Sequence, residues 1–206
     1  MFNIQKYLRH VVLALGLAAL SLTASASLLP TYKIAAPDTI TADIAYIDFV
    51  FNSMDGAALV KASLTNFAGI TVGEIDPVGD VTGIAGGFSI GNGGAYNDLY
   101  LPVNGPFSFD LNFSESFLKS NSPLNDNGSF TIALYDSNEQ LIGDSSGALQ
   151  FSLSNSDVTV TSTSSLLSVT AVPEPTDWML MLTGLVFVVY LTRKNDRANV
   201  RRLAAA

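Results

Sequence analysis

Cysteine is absent from the 206 residues, and histidine occurs once, as His10. No disulfide constrains the unfolded chain, so stability has to come from core burial, with or without the help of ions. His10 sits in an expected leader and leaves with it. The remaining chain then has no imidazole-assisted nucleophile, no thiolate and none of the usual zinc ligands, which removes most hydrolase mechanisms. Cations are nearly as scarce: the 145 residues from Ser27 to Ala171 hold only Lys33, Lys61 and Lys119 against fifteen carboxylates, a net charge of −12. Such a surface repels phosphate and argues against nucleic acid as a partner. The span is long enough for one domain with its own core.

Long apolar runs are confined to the two ends. Lys6 and Arg9 precede a twelve-residue apolar stretch from Val11 to Leu22, and Ala24-Ser25-Ala26 supplies a small-x-small cleavage site. This order predicts a signal peptide over 1–26, cut by signal peptidase after Ala26, with Ala24 and Ala26 as the small residues it reads. A first membrane helix is the competing reading, but twelve residues reach only about 18 Å, against about 30 Å of hydrocarbon. At the other end, Met179 to Leu191 carries no charge, and with Trp178 and Thr192 it gives a helix over 178–192 of about 22 Å. Trp178 suits the membrane interface, while Arg193 and Lys194 form a cationic stop and snorkel to the headgroups. A buried core helix is the alternative, and an all-apolar stretch behind Pro-x-Pro and ahead of Arg197, Arg201 and Arg202 fits it poorly. Because cationic flanks stay cytoplasmic, the acidic region is expected beyond the inner membrane.

Together, Val172-Pro173-Glu174-Pro175, Trp178, Gly184-Leu185 and Arg193-Lys194 resemble the PEP-CTERM sorting signal of Gram-negative bacteria that make exopolysaccharide. The resemblance covers Val172 to Lys194. It implies a partner, an exosortase-like membrane transpeptidase with its own Cys and His, acting near Pro173, Glu174 and Pro175. It further implies membrane anchoring followed by delivery to the cell surface or extracellular matrix. Segments around Gly91 to Leu99, Phe107 to Phe113 and Ile132 to Asp136 also look like a group of PEP-CTERM proteins to which no activity is attached.

Between these ends, Val, Ile, Phe, Thr, Ser and Gly dominate, with turn signals about every ten residues. That pattern predicts an all-β fold, an antiparallel sandwich or jelly roll, over 27–160. Strands are expected at 44–51, 58–67, 86–90, 98–101, 107–113, 129–135, 148–153 and 158–162. The clearest alternation is Phe107, Phe109, Leu111 and Phe113, with Ser108, Asp110 and Asn112 on the other face. Its expected strand partner is Phe130-Ile132-Leu134. Residues 161–171 read as a Ser/Thr-rich spacer leading to the sorting signal over 172–206.

Three places carry candidate chemistry. Asn125-Asp126-Asn127-Gly128 offers oxygens to Ca²⁺ but lacks the downstream bidentate carboxylate, and a β-turn explains the same residues. Glu74, Asp76 and Asp80 supply the carboxylates a glycosidase needs, or merely a solvated acidic loop. Gly91 to Gly94 leads into Tyr96, Asn97 and Asp98, where an aromatic face beside amide and carboxylate groups suits a sugar ring. A hairpin loop with Tyr96 on the sheet edge is the plainer alternative. The glycines are not a phosphate loop, since neither a helix nor a Lys follows, and no cofactor motif is present. The expected function is an exported, non-enzymatic envelope or matrix protein that binds or structures exopolysaccharide; the alternative is a secreted carboxylate-dependent glycosidase.

Overall fold

The strand from Asp98 to Phe113 alternates buried and exposed side chains over sixteen residues, yet its two halves pair with different neighbours. A computed structural model describes residues 29–37, 43–73, 77–94, 96–120, 124–172 and 181–187. The chain divides into two units, Leu28–Val172 and the terminal segments Met1–Ser27 with Pro173–Ala206. Among the described residues, the first unit holds ten strands: β1 Thr31–Ala36, β2 Tyr46–Asn52, β3 Lys61–Ile70, β4 Val81–Ile84, β5 Gly87–Gly91, β6 Asp98–Phe113, β7 Asp126–Tyr135, β8 Leu149–Ser154, β9 Val158–Ser162 and β10 Ser168–Val172. A single 3-10 turn, Glu115–Lys119, follows β6. In the second unit, residues 181–187 are helical and expose Met181, Leu182, Leu185, Val186 and Phe187. Among the described residues no helix is long and apolar enough to cross a membrane. Ala24, Ala26, Pro173, Glu174, Pro175, Arg193 and Lys194 lie outside the described residues, as does most of the expected helix over 178–192.

All strand pairs are antiparallel, and the fold is all-β and sandwich-like. Sheet A runs β4-β5-β3-β6-β1-β10, and sheet B runs β6-β2-β7-β8-β9, with β6 common to both. Residues 98–102 of β6 pair with β2 in sheet B, and residues 107–113 sit between β1 and β3 in sheet A. The bend between them follows from the sequence. Pro102 and Pro106 have no N–H for a ladder, and Gly105 adopts φ +82 at a position that alternation would otherwise point inward. Strands that change sheets by a bend or bulge make the corners of such folds. The neighbouring β3 accommodates this corner with register shifts on either side of Ala68, Asn66 at φ 54 and Gly69 at φ 69.

Aromatic rings fill the space between the sheets. Phe49, Phe51, Phe130 and Phe151 of sheet B meet Phe109, Phe113 and Tyr32 of sheet A, mostly edge to face at 5.0–6.1 Å. Each such pair adds about 0.5–1.5 kcal/mol beyond its area burial. This corrects one expectation. Phe107 to Phe113 and Phe130 to Leu134 do not pair within a sheet; they face each other across the core, Phe113 and Phe130 at 5.8 Å. Period-two alternation marks which face is buried, and two strands packed face to face show it as clearly as two strands side by side.

The expected spacer is also corrected. Residues 161–162 complete β9, and β10 occupies Ser168–Val172, paired with β1 so that Val172 lies opposite Thr31. β1, β4 and β10 were missed for a common reason. They are short and poor in large apolar residues, and β4 and β10 are largely exposed edge strands.

The corner generates a paired test. A Cβ at Gly69 would collide with the Pro106 carbonyl, whereas one at Gly105 meets open space, although both glycines have positive φ. Gly69→Ala should cost about 2–3 kcal/mol and Gly105→Ala about 1 kcal/mol, read as the difference between urea unfolding curves. Equal losses would show that the two strands are not locked together at the corner.

Candidate functional site

On the outer face of sheet B, alternation places polar and aromatic residues on three adjacent strands. β2 presents Tyr46 and Asp48, β6 presents Asp98 and Tyr100, and β7 presents Ala133 and Tyr135. Asp48 is directly opposite Tyr100 on one side and Ala133 on the other, while Tyr46 is opposite Pro102 and Tyr135. The rings of Tyr46 and Tyr100 stack at 5.0 Å with 18° between planes, and Tyr100 meets Tyr135 edge-on at 5.7 Å. Although it points away from the core, Asp48 is only 8% exposed.

Burying a carboxylate without a cation is costly, and sheet B has no Lys or Arg on any of its strands. Asp98, diagonal to Asp48 across the β2–β6 ladder, brings a second carboxyl to the same spot. Among the described residues no N–H or O–H donates to Asp48 Oδ1 or Asp98 Oδ1. Asp48 also has a side-chain hydrogen bond with Asp98. Burial first, then that hydrogen bond, then the Asp98 charge push Asp48 up to about 8, and it keeps its proton at neutral pH. The surrounding phenols respond in the same sense. Burial and then the Glu139 charge push Tyr100 up to about 12, and burial followed by the nearby Asp charges raises Tyr96 and Tyr135. All three are neutral hydroxyls in the physiological range. The site is thus one protonated carboxyl, a second carboxyl beside it and a row of tyrosine faces.

The residues singled out from sequence divide between this site and the scaffold. Tyr96, 48% exposed, stands in the loop before β6, where burial and then the Asp98 charge raise its phenol. Asp98 opens β6 and exchanges backbone hydrogen bonds with Val78. Asn97 is fully buried and serves the fold: Nδ2 donates to the Phe51 carbonyl at 2.9 Å, and Oδ1 accepts from the Asp80 amide at 2.8 Å. Glu74 and Asp76 lie outside the described residues, so Asp80 alone of that trio is placed. In the 125–128 segment, Asp126 Oδ1 accepts from the Gly128 amide, and buried Asn127 is engaged with the Ala58 amide and Asn155 Oδ1. These bonds hold the start of β7, where the register shifts, and no group of three or more metal-ligating side chains occurs among the described residues.

Sequence reasoning missed Asp48, Tyr46, Tyr100 and Tyr135. Their period-two spacing against Ile47, Phe49, Leu99, Leu101 and Leu134 does mark them as outward-facing. It does not reveal that β2, β6 and β7 are neighbours in that order.

The pH dependence of stability follows from Asp48. Its folded-state value lies above the ordinary carboxyl value of 3.8, so the folded state holds the proton more tightly than the unfolded chain. That contribution is complete below about pH 4 and is lost as pH rises towards about 8, at up to about 1.4 kcal/mol per pH unit. Asp48→Asn, which keeps the shape and cannot ionise, should therefore gain stability relative to the wild type as pH goes from 5 to 8. Urea unfolding at several pH values reads the difference; parallel profiles for the two proteins would refute the buried proton.

No family model matches the chain, and neither does any curated protein or solved structure. The functional reading therefore rests on the chemistry of this face and of the chain termini.

Proposed function

We propose that the protein is an exported envelope or extracellular-matrix protein whose β domain binds exopolysaccharide through the outer face of sheet B. The observation that carries the binding role is the tyrosine row, Tyr46, Tyr100 and Tyr135, with the Asp48–Asp98 pair set into it. Aromatic faces cover the C–H faces of pyranose rings, and carboxyl and phenol groups take the hydroxyls. The strands beneath hold these groups in fixed register, which lowers the ordering cost of binding.

Export and sorting are supported by the termini. In this reading signal peptidase removes 1–26, the apolar segment over 178–192 anchors the chain in the inner membrane, and Arg193-Lys194 remains on the cytoplasmic side. An exosortase-like transpeptidase then recognises Pro173-Glu174-Pro175, whose prolines keep the tripeptide extended.

Glycoside hydrolysis is the weaker reading. Retaining enzymes hold their carboxyls about 5–5.5 Å apart and inverting enzymes further, to admit the sugar carbon or a water. Asp48 and Asp98 lie side by side on neighbouring strands of one sheet face, not opposed across a cleft.

Two experiments test these proposals. The full-length protein and its Tyr100→Ala/Tyr135→Ala variant are assayed on a polysaccharide panel for affinity and for released reducing ends. Binding without turnover, weakened at least about tenfold in the variant, is expected; turnover, or binding indifferent to the tyrosines, would contradict it. In a host carrying an exosortase, alanine at Pro173, Glu174 and Pro175 should abolish C-terminal processing while leaving the domain folded. Normal processing of the triple variant would remove the sorting assignment.

A further inference from the structure

A face built from carboxyls and phenyl rings has two features that a neutral sugar does not need. The first is the pair of buried oxygens, Asp48 Oδ1 and Asp98 Oδ1, to which no donor of the described residues points. The second is the lack of any cation on the five strands of sheet B. The strands beneath the carboxyl pair carry no counter-ion, and aromatic rings share its face: Tyr46 and Tyr100 stacked, Tyr135 against Tyr100, and Tyr96 near enough to feel the Asp98 and Asp48 charges. Rings whose faces carry negative potential, set around carboxylates, are the arrangement that attracts an organic cation.

We infer that the Asp48–Asp98 pair and Tyr46, Tyr96, Tyr100 and Tyr135 form a site for the ammonium group of an amino sugar in a de-N-acetylated polysaccharide. The inference rests on the polysaccharide-binding reading and narrows it to cationic sugars. An ammonium brings three N–H donors and one positive charge. It supplies the donors both Oδ1 atoms lack and takes the place of the proton Asp48 holds, which leaves to solvent. The sugar ring carrying it then lies along the tyrosine row. The overall acidity of the domain, −12 between Ser27 and Ala171, draws such a polymer in, while the pair fixes where its nitrogen sits.

The proton gives the proposal its own signature. Titratable groups facing the pair are Tyr46 on β2, Tyr96 in the loop before β6, Tyr100 on β6, Tyr135 on β7 and, through Tyr100, Glu139 in the turn after β7. Burial and neighbouring negative charge hold Tyr96, Tyr100 and Tyr135 in their neutral form, so at pH 6.5 Asp48 is the group that yields the proton.

The test uses the full-length protein at about 0.15 M salt, where the Debye length of about 8 Å screens diffuse attraction. A glucosamine oligomer, the matching N-acetylglucosamine oligomer and a lysine oligomer are titrated by calorimetry into wild type, Asp48→Asn and Tyr100→Ala. Melting curves confirm that the variants fold. Asp48→Asn removes one of fifteen carboxylates from Ser27–Ala171, so non-specific attraction is nearly unchanged by it. Expected are selectivity for the glucosamine over the N-acetyl oligomer, a loss of at least about tenfold in each variant, and release of about one proton at pH 6.5, read in two buffers of different ionisation enthalpy. Equal binding of both sugar oligomers, unaffected by Asp48→Asn, would overturn the inference and leave the polysaccharide reading standing. Binding of the lysine oligomer alone would overturn both readings in favour of a protein partner, and binding of none of the three would overturn both outright.

Discussion

β6 is the strand on which the rest of the structure depends. It belongs to both sheets, so the bend at Pro102-Val103-Asn104-Gly105-Pro106 sets how the two layers meet. One face of β6 supplies Leu99, Leu101, Phe107, Phe109, Leu111 and Phe113 to the core. Phe113 alone touches rings from β1, β2, β7 and β8. With no disulfide, this interlock of rings around a shared strand carries the stability of the domain. The opposite face of its first half carries Asp98 and Tyr100. Core and candidate site are therefore two sides of the same few residues, and the rigidity of one is transmitted to the other.

The outer face of sheet B runs against the usual economy of a sheet surface. A strand position open to water is normally filled by a residue that can remain solvated, and an ionised carboxylate there is inexpensive. Here Asp48 is buried and placed beside a second carboxyl, an arrangement that lowers stability above pH 4. Sequences depart from local consistency in this way mainly where function demands it. Elsewhere the polar side chains are spent on holding loops. Asn92 bonds Val60, Ala58 and Asn127, and Asn97 bonds Phe51 and Asp80, so these buried amides tie the segments around β3 and β6 together.

Much of the fold was legible in the sequence because the core strands are long, aromatic and strictly alternating. β9 was placed at its observed limits, and β2, β3, β5, β7 and β8 to within a few residues. Splitting β6 in two was a natural error, since Pro102, Gly105 and Pro106 are the residues that end strands, and only the neighbouring strands keep the chain extended through them. The site was half legible. Tyr96 and Asp98 stood out beside the Gly91–Gly94 loop, but Asn97 between them faces inward, as alternation from Leu99 implies. Asp48 lies fifty residues before Asp98, and the ladder that joins them is a long-range pairing that no local spacing encodes. The expected sorting signal is the opposite case: its residues stand out in the sequence from Pro173 onwards, and of them only 181–187 are among the described residues.

The central claim is that Asp48, buried on the outer face of sheet B beside Asp98, keeps its proton at neutral pH. Observing the Asp48 side-chain carboxyl carbon by NMR as pH is raised tests it most directly, because the resonance reports ionisation at that atom group alone. The account predicts a midpoint near pH 8, falling towards the ordinary range when Asp98 is replaced by Asn and its charge is removed. A midpoint near the model-peptide value of about 4 in the intact protein would contradict it.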